Sequence, residues 1–228
     1  MHHFDVILER AVARKGGRKS LDSLLPAPKT SRALMAKKDH RYLSDMSRRV
    51  FRAGLKHSMV DSKWPAFEAR FFGFEPDKVI LISDERLEQM MQDTTIIRHF
   101  GKLKTVRKNA QFVLDIGQEY GSFGRFIARW PESDIIGLWR VLAKQGTYLG
   151  GRSASAFLRM VGKDTFLLTE DVVAALKAQG VVDRAPTAQR DLRVVQEAFN
   201  QWREQSGLAL CQISRILSFT VGDSRSIE

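Results

Sequence analysis

Apolar residues recur along this chain at the spacing of an α-helix. Leu43, Met46, Val50 and Phe51 form one stripe, and Trp64, Phe67 and Phe71 form a second at i, i+3 and i+7. Further stripes are Leu87, Met90 and Met91, then Ile135, Ile136, Trp139 and Leu142, then Ala154, Phe157, Leu158 and Val161. With stop and start signals these predict helices over 1–14, from Leu43 to the break at Ala53-Gly54-Leu55, and from a Ser62 cap to Gly73. Asp84 caps the next. Others are expected at 95–116, 119–128, 132–145, 153–161, 171–179, 187–205 and 208–219. Val79-Ile80-Leu81-Ile82 is the one β-like run, and it is short. The fold class is therefore all-α. Residues 15–40, with Gly16-Gly17, Pro26-Ala27-Pro28 and Lys37-Lys38, read as an extension laid over the surface or partly mobile.

Between two of these helices lies Gly146-Thr147-Tyr148-Leu149-Gly150-Gly151-Arg152-Ser153. Gly150 and Gly151 are free to adopt φ > 0 and to bring backbone close to a ligand. Ser153 is a good N-cap for the helix that follows. Free N–H groups at a helix start, with Arg152 beside them, suit an anion. A helix-hairpin-helix holds one DNA phosphate in this way without reading sequence. An ordinary αα-hairpin with a glycine turn has the same spacing.

Composition narrows the partners. The net charge is +11, and it is uneven. Residues 1–60 hold 14 Lys/Arg against five Asp/Glu, a balance of +9, which leaves +2 for the other 168. A basic end on a near-neutral body points to a polyanion. No apolar run is long enough for a transmembrane helix, and residues 4–14 make only a weak amphipathic candidate for a membrane surface. The start of the chain lacks the apolar core of a secretory signal. A single cysteine, Cys211, excludes an internal disulfide and any multi-cysteine metal site, and fits a reducing cytoplasm. No metal and no cofactor are expected.

The run Asp93-Thr94-Thr95-Ile96-Ile97-Arg98-His99-Phe100-Gly101-Lys102-Leu103, followed by Asn109-Ala110, resembles the DNA-3-methyladenine glycosylase I family. Ala53-Gly54-Leu55, Phe74-Glu75-Pro76-Asp77-Lys78-Val79 and the hairpin at 146–162 stand at that family's spacing, so the likeness covers roughly 43–173. It implies a two-lobed helix-hairpin-helix DNA glycosylase fold and excision of 3-methyladenine from alkylated DNA. One lobe is then expected at 62–170 and the other from 41–61 plus 171–228, behind a basic extension at 1–40. The sequence departs from the family at three points. No cysteine matches the structural zinc site. Arg49 stands where the family has a base-binding Glu, four residues before Ala53. His57 stands where it has a Trp.

The resemblance assigns roles. In the wider superfamily a catalytic Asp opens the helix after the hairpin, which makes Asp171 the candidate. It would stabilise positive charge on the sugar and orient water; its plain alternative is a helix N-cap. Arg49, Phe51, His57 and Trp64 are the base-pocket candidates, although the spacing of Phe51 and Trp64 suits a core better. Arg52, Gly54 and Leu55 would fill the gap left by a flipped base, and Tyr148, Gly150, Gly151, Arg152 and Ser153 would hold phosphate. His99 is expected to serve a structural hydrogen bond. The partner is double-stranded DNA, the protein is expected to act as a cytoplasmic monomer, and the competing reading is a catalytically silent DNA-binding protein.

Overall fold

A computed structural model describes residues 1–222. Among them the chain forms helices and turns and no β-strand. In order the helices are α1 (Phe4–Arg14), α2 (Arg18–Ser23), α3 (Ser31–Ala36), α4 (Asp39–Arg52), α5 (His57–Arg70), α6 (Pro76–Val79), α7 (Asp84–Gln89), α8 (Phe100–Tyr120), α9 (Phe123–Arg129), α10 (Ile135–Gln145), α11 (Arg152–Val161), α12 (Glu170–Ala178), α13 (Gln189–Ser206) and α14 (Leu210–Phe219). None is long and apolar enough to cross a membrane.

Several boundaries differ from the expected ones, each for a local reason. Ser62 lies inside α5, where its hydroxyl donates to the Met59 carbonyl at 3.0 Å instead of capping. Ser83 caps α7 by accepting from the Arg86 amide, so Asp84 sits in the first turn. Residues 95–99 stay out of α8. Asp93 accepts from both the amide and the hydroxyl of Thr95, at 2.9 and 2.6 Å, which closes a turn there. The β-like run is not a strand: Pro76 opens a one-turn helix ending at Val79, and Leu81 is 80% exposed.

The chain packs into two compact units. One comprises residues 29–130 and 139–163; the other comprises 1–28, 131–138 and 164 onward. This differs from the expected division, because residues 41–61 pack with the hairpin. The reason is the apolar face of α4, Leu43, Met46, Val50 and Phe51, which is buried against α8, α5 and α11 within the first unit.

The core of the first unit is a run of rings. Trp64 stacks on Phe67 and Phe74 at 4.9 and 5.4 Å between centroids, and Phe71 continues the stack at 6.2 Å from Phe67. Phe51 closes its side, 4.6 Å from Phe67. Each fully buried ring contributes about 2–3 kcal/mol. Elsewhere in this unit α3 packs on α9 through Gly124, where a Cβ would stand 2.7 Å from the Leu34 carbonyl oxygen.

The second unit is built on Phe166, Phe199 and Trp202, with Phe166 and Phe199 stacked at 4.2 Å. Residues 1–28 are part of it, and the stretch 15–40, expected as a surface extension, is divided between the units: it forms α2 and α3, with Leu21 buried here and Leu34 buried in the first unit. Phe4, Ile7 and Ala11 are buried, and the Phe4 amide donates to Gln205 at 2.9 Å. Asp164, buried, accepts from the Leu210 and Cys211 amides at 2.9 Å each and so caps α14.

Candidate nucleic-acid interface and base site

The glycine-rich turn between α10 and α11 is stiffer than its composition suggests. Asn109 of α8, fully buried, donates to the Thr147 carbonyl at 3.1 Å and accepts from the Thr147 amide at 2.7 Å. Gly146 is tightly enclosed: a Cβ there would meet Leu149 at 2.6 Å and the Leu142 carbonyl at 2.7 Å. Tyr148, at φ 60, is a non-glycine residue in the left-handed region, and its ring is exposed. Its hydroxyl lies 3.6 Å from where a Gly101 Cβ would stand.

The outer edge of the turn is open. A Cβ at Gly150 or Gly151 would meet nothing within 4 Å. Only Gly151 of the two needs the left-handed region, at φ 54. Ser153 does not cap α11. Gly151 occupies the cap position, no side chain accepts there, and the Ser153 amide turns to the Gly150 carbonyl at 3.1 Å. The start of a ten-residue helix is thus left to solvent, with exposed Arg152 next to it. That arrangement attracts an anion through the N–H groups and the helix dipole.

A second projecting turn, Ala53-Gly54-Leu55-Lys56, joins α4 to α5. Gly54 takes φ 77 with open space around it. Its anchor is Lys102, a residue whose role sequence reasoning missed. The Lys102 ammonium donates to the Ala53 carbonyl at 2.7 Å and the Phe51 carbonyl at 3.3 Å, satisfying carbonyls at the end of α4. A lysine between apolar neighbours in the Gly101-Lys102-Leu103 run was the available signal. Burial, and then the nearby Arg49, push its pKa down.

The structure separates the base-pocket candidates. Phe51 and Trp64 are buried in the aromatic core, and the Trp64 indole N–H donates to Ser44 at 3.0 Å. Neither has an open face for a base. His57, the first residue of α5, is exposed. Arg49 is half-buried in the last turn of α4, and its Nε is buried without a hydrogen-bond partner. Burial, and then Arg52, lower its pKa. Arg52 itself is committed: its guanidinium makes a bidentate pair with Asp61, at 2.7 and 2.6 Å from Nη2, and reaches the Met160 sulfur at 3.8 Å. It is not a free phosphate ligand. His99 has the structural role expected, its Nδ1 accepting from the Lys102 amide at 3.2 Å at the start of α8.

Asp171 belongs to the second unit, and it is not an N-cap. Thr169 caps α12, accepting from the Val172 amide at 3.3 Å, which leaves the half-buried Asp171 carboxylate uncommitted to the cap. Gly222 approaches it closely enough that a Cβ there would stand 3.4 Å from Oδ1. Arg14 places that glycine by donating to the Phe219 carbonyl at 2.9 Å and to the Gly222 carbonyl. Among the described residues no group of three or more His, Cys, Asp or Glu side chains is arranged to hold a metal ion. The lone Cys211 is buried behind Pro26, so the side chains present do not fit the zinc site that the resemblance implies.

An all-helical chain whose α10–α11 connection is a glycine-edged turn with an uncapped second helix has the features of the helix-hairpin-helix class. The comparisons are more specific: the model of the methyladenine glycosylase family matches residues 34–183, and the chain belongs to that family. DNA-3-methyladenine glycosylase 1 of Escherichia coli is 36% identical over 75 residues, which is 33% of this chain and 40% of that relative. The solved 3-methyladenine DNA glycosylase I of Staphylococcus aureus superposes with a TM-score of 0.50 and 25% identity, covering 55% of this chain and 77% of that one. The 8-oxoguanine glycosylase/lyase of Methanocaldococcus jannaschii, solved with DNA containing 8-oxoguanine, covers 94% of this chain and 96% of its own at 13% identity and a TM-score of 0.52. At that identity the likeness shows the fold alone, and the fold is that of the helix-hairpin-helix DNA glycosylases.

Proposed function

We propose that this protein is a DNA repair N-glycosylase that flips an alkylated purine, the class to which 3-methyladenine belongs, out of duplex DNA and hydrolyses its glycosidic bond. The observation that carries the reading is the hairpin: an open, side-chain-free backbone edge at Gly150 and Gly151, held in one geometry by Asn109. Such an edge suits one phosphate and no base sequence. Arg152 adds attraction from outside the turn. The Ala53–Lys56 turn, anchored by Lys102, supplies Leu55 as the apolar group that fills the gap in the base stack. Extruding the nucleotide costs a few kcal/mol and is easiest for a damaged, poorly stacked base.

Asp171 supplies the electrostatics. As the base departs, positive charge builds on the sugar, and a fixed carboxylate stabilises it and orients the incoming water. An N-alkylated purine is already a good leaving group, so one carboxylate suffices. One feature favours the second reading, a DNA-binding protein without turnover: Arg49 stands where the resemblance puts the family's base-binding Glu, and a positive charge there would repel a cationic base.

The test is release of free base from methylated duplex by wild type and by Asp171→Asn, with melting curves alongside. Thr169 keeps the helix capped in the variant, so its stability changes by less than about 1 kcal/mol. Release slows by at least ~100-fold, the scale of losing one preorganised electrostatic group. Equal release by both proteins removes Asp171 from the mechanism. Tight duplex binding with no release by wild type establishes the silent reading.

A further inference from the structure

The last turn of α4 holds more positive charge than its surroundings answer. The Lys102 ammonium binds the Phe51 and Ala53 carbonyls on either side of Arg52, and Arg49 lies in the same last turn of α4, so the three cations stand close together. Asp61 is engaged at both oxygens by Arg52. Lys102 spends its protons on the Ala53 and Phe51 carbonyls. Arg49 forms no ion pair among the described residues, and its Nε–H is buried with no acceptor. A buried donor without a partner is costly and calls for an explanation; the neighbouring Arg48 Nε is unpartnered too, but the Arg48 guanidinium lies over the Trp64 ring at 4.9 Å, whereas Arg49 has no such ring contact among the described residues. Arg49 also stands one helical turn before Ala53, on the same side of α4 as the turn assigned above to the flipped nucleotide.

We propose that Arg49 is a specificity-determining residue that donates to a carbonyl oxygen of the extruded base, so that the site takes alkylated purines bearing a C6 carbonyl, the guanine type, in preference to those bearing a C6 amine, the adenine type. The inference rests on the glycosylase reading for the nature of its ligand. A guanidinium has five N–H donors and no acceptor. Facing an adenine-type base it would set donor against donor at the exocyclic amine. Facing a guanine-type base it meets O6, the acceptor that arginine engages most often in specific base contacts. Alkylation on the purine ring also acidifies N1–H. Loss of that proton to solvent leaves negative charge on O6, which the guanidinium favours and which removes the repulsion a cationic base would meet here.

The experiment measures two things on wild type, Arg49→Gln and Arg49→Glu. The first is release of 7-methylguanine, 3-methylguanine and 3-methyladenine from one preparation of methylated duplex DNA, each corrected for its abundance. The second is binding of free 7-methylguanine and free 3-methyladenine, followed by tryptophan fluorescence. Wild type should favour the two guanine-type bases by about 10-fold or more in release, the scale of one good base contact, and should bind 7-methylguanine more tightly. Arg49→Gln should weaken that preference and Arg49→Glu should reverse it, with melting temperatures unchanged. A wild-type preference for 3-methyladenine, or a preference indifferent to both substitutions, overturns the assignment of Arg49 while leaving the glycosylase reading intact. Absence of release with retained, Arg49-dependent binding of 7-methylguanine overturns the glycosylase reading and keeps the recognition. Absence of both overturns both.

Discussion

Asn109 couples the stability of the protein to the geometry of its hairpin, and replacing it with alanine separates the two effects. The side chain makes two hydrogen bonds to the Thr147 backbone, at 2.7 and 3.1 Å, and bridges 38 residues of sequence. Each bond contributes about 1 kcal/mol net, and leaving a buried donor or acceptor unpaired costs about 1–3 kcal/mol more. Asn109→Ala should therefore destabilise by about 2–4 kcal/mol. For a chain of this size that lowers the melting temperature by very roughly 5–15 °C. Thr147 precedes Tyr148, which holds a left-handed conformation that only a determined turn imposes. Without the clamp the turn relaxes, the amides at Gly151 and Arg152 lose their fixed direction, and duplex affinity falls. Asn109→Asp sharpens the argument. It keeps the acceptor for the Thr147 amide but sets a carboxylate against the Thr147 carbonyl, so it should be worse than alanine at neutral pH and recover on acidification. Circular dichroism melts and fluorescence anisotropy on a labelled duplex measure both effects. Melting within about 1 °C of wild type, together with unchanged duplex affinity, would refute the clamp.

Three further outcomes follow from the same contacts. Lys102→Met keeps the apolar stem but drops the ammonium that holds the Ala53 and Phe51 carbonyls; hydrogen exchange at residues 53–56 should accelerate and base release should fall, and unchanged exchange would show that the turn does not depend on Lys102. Gly151→Val forces a β-branched residue into φ 54 at an otherwise open edge, so it should weaken duplex binding while the Asp171-dependent chemistry on bound substrate persists; single-turnover kinetics at saturating protein separate the two. Asp93 is held at about 2, first by the Thr95 hydroxyl, then by the Thr95 amide and Arg70. Its folded pKa lies below its unfolded value of 3.8, so its stabilisation is present above that value and is lost as pH falls through about 2. Asp93→Asn should flatten the acid limb of the stability curve in that window, and an acid limb identical to wild type would remove this carboxylate from the acid response.

The basic N-terminal segment shows how packing revises a reading of charge. Fourteen Lys/Arg in residues 1–60 suggest an arm for DNA. The structure buries Phe4, Ile7, Ala11 and Leu21 beneath those cations, so removing residues 1–40 would strip core as well as charge. Substituting exposed cations such as Arg10, Lys19 and Arg32 is the cleaner way to change the salt dependence of binding.

Periodicity was enough to make this chain all-helical, because a 3.6-residue stripe survives any tertiary arrangement, and the Gly146–Ser153 pattern was enough to place the hairpin, because Gly146 leaves no room for a Cβ and Gly151 takes positive φ. Local patterning could not say which residue stands at the cap of a helix. Ser83 over Asp84, Thr169 over Asp171 and Gly151 over Ser153 were settled by which oxygen, if any, reached a free amide. Nor could it tell a ring that faces a ligand from one that faces its neighbours, since Trp64 and Phe51 carry the same helical spacing in either case, and only the stack with Phe67 and Phe74 assigns them to the core. The partners of Lys102, Asn109 and Arg52 lie 49, 38 and nine residues away. Two of those three separations exceed the reach of any helical or turn pattern, and hydrogen-bond partners at such distances are chosen by how the helices pack.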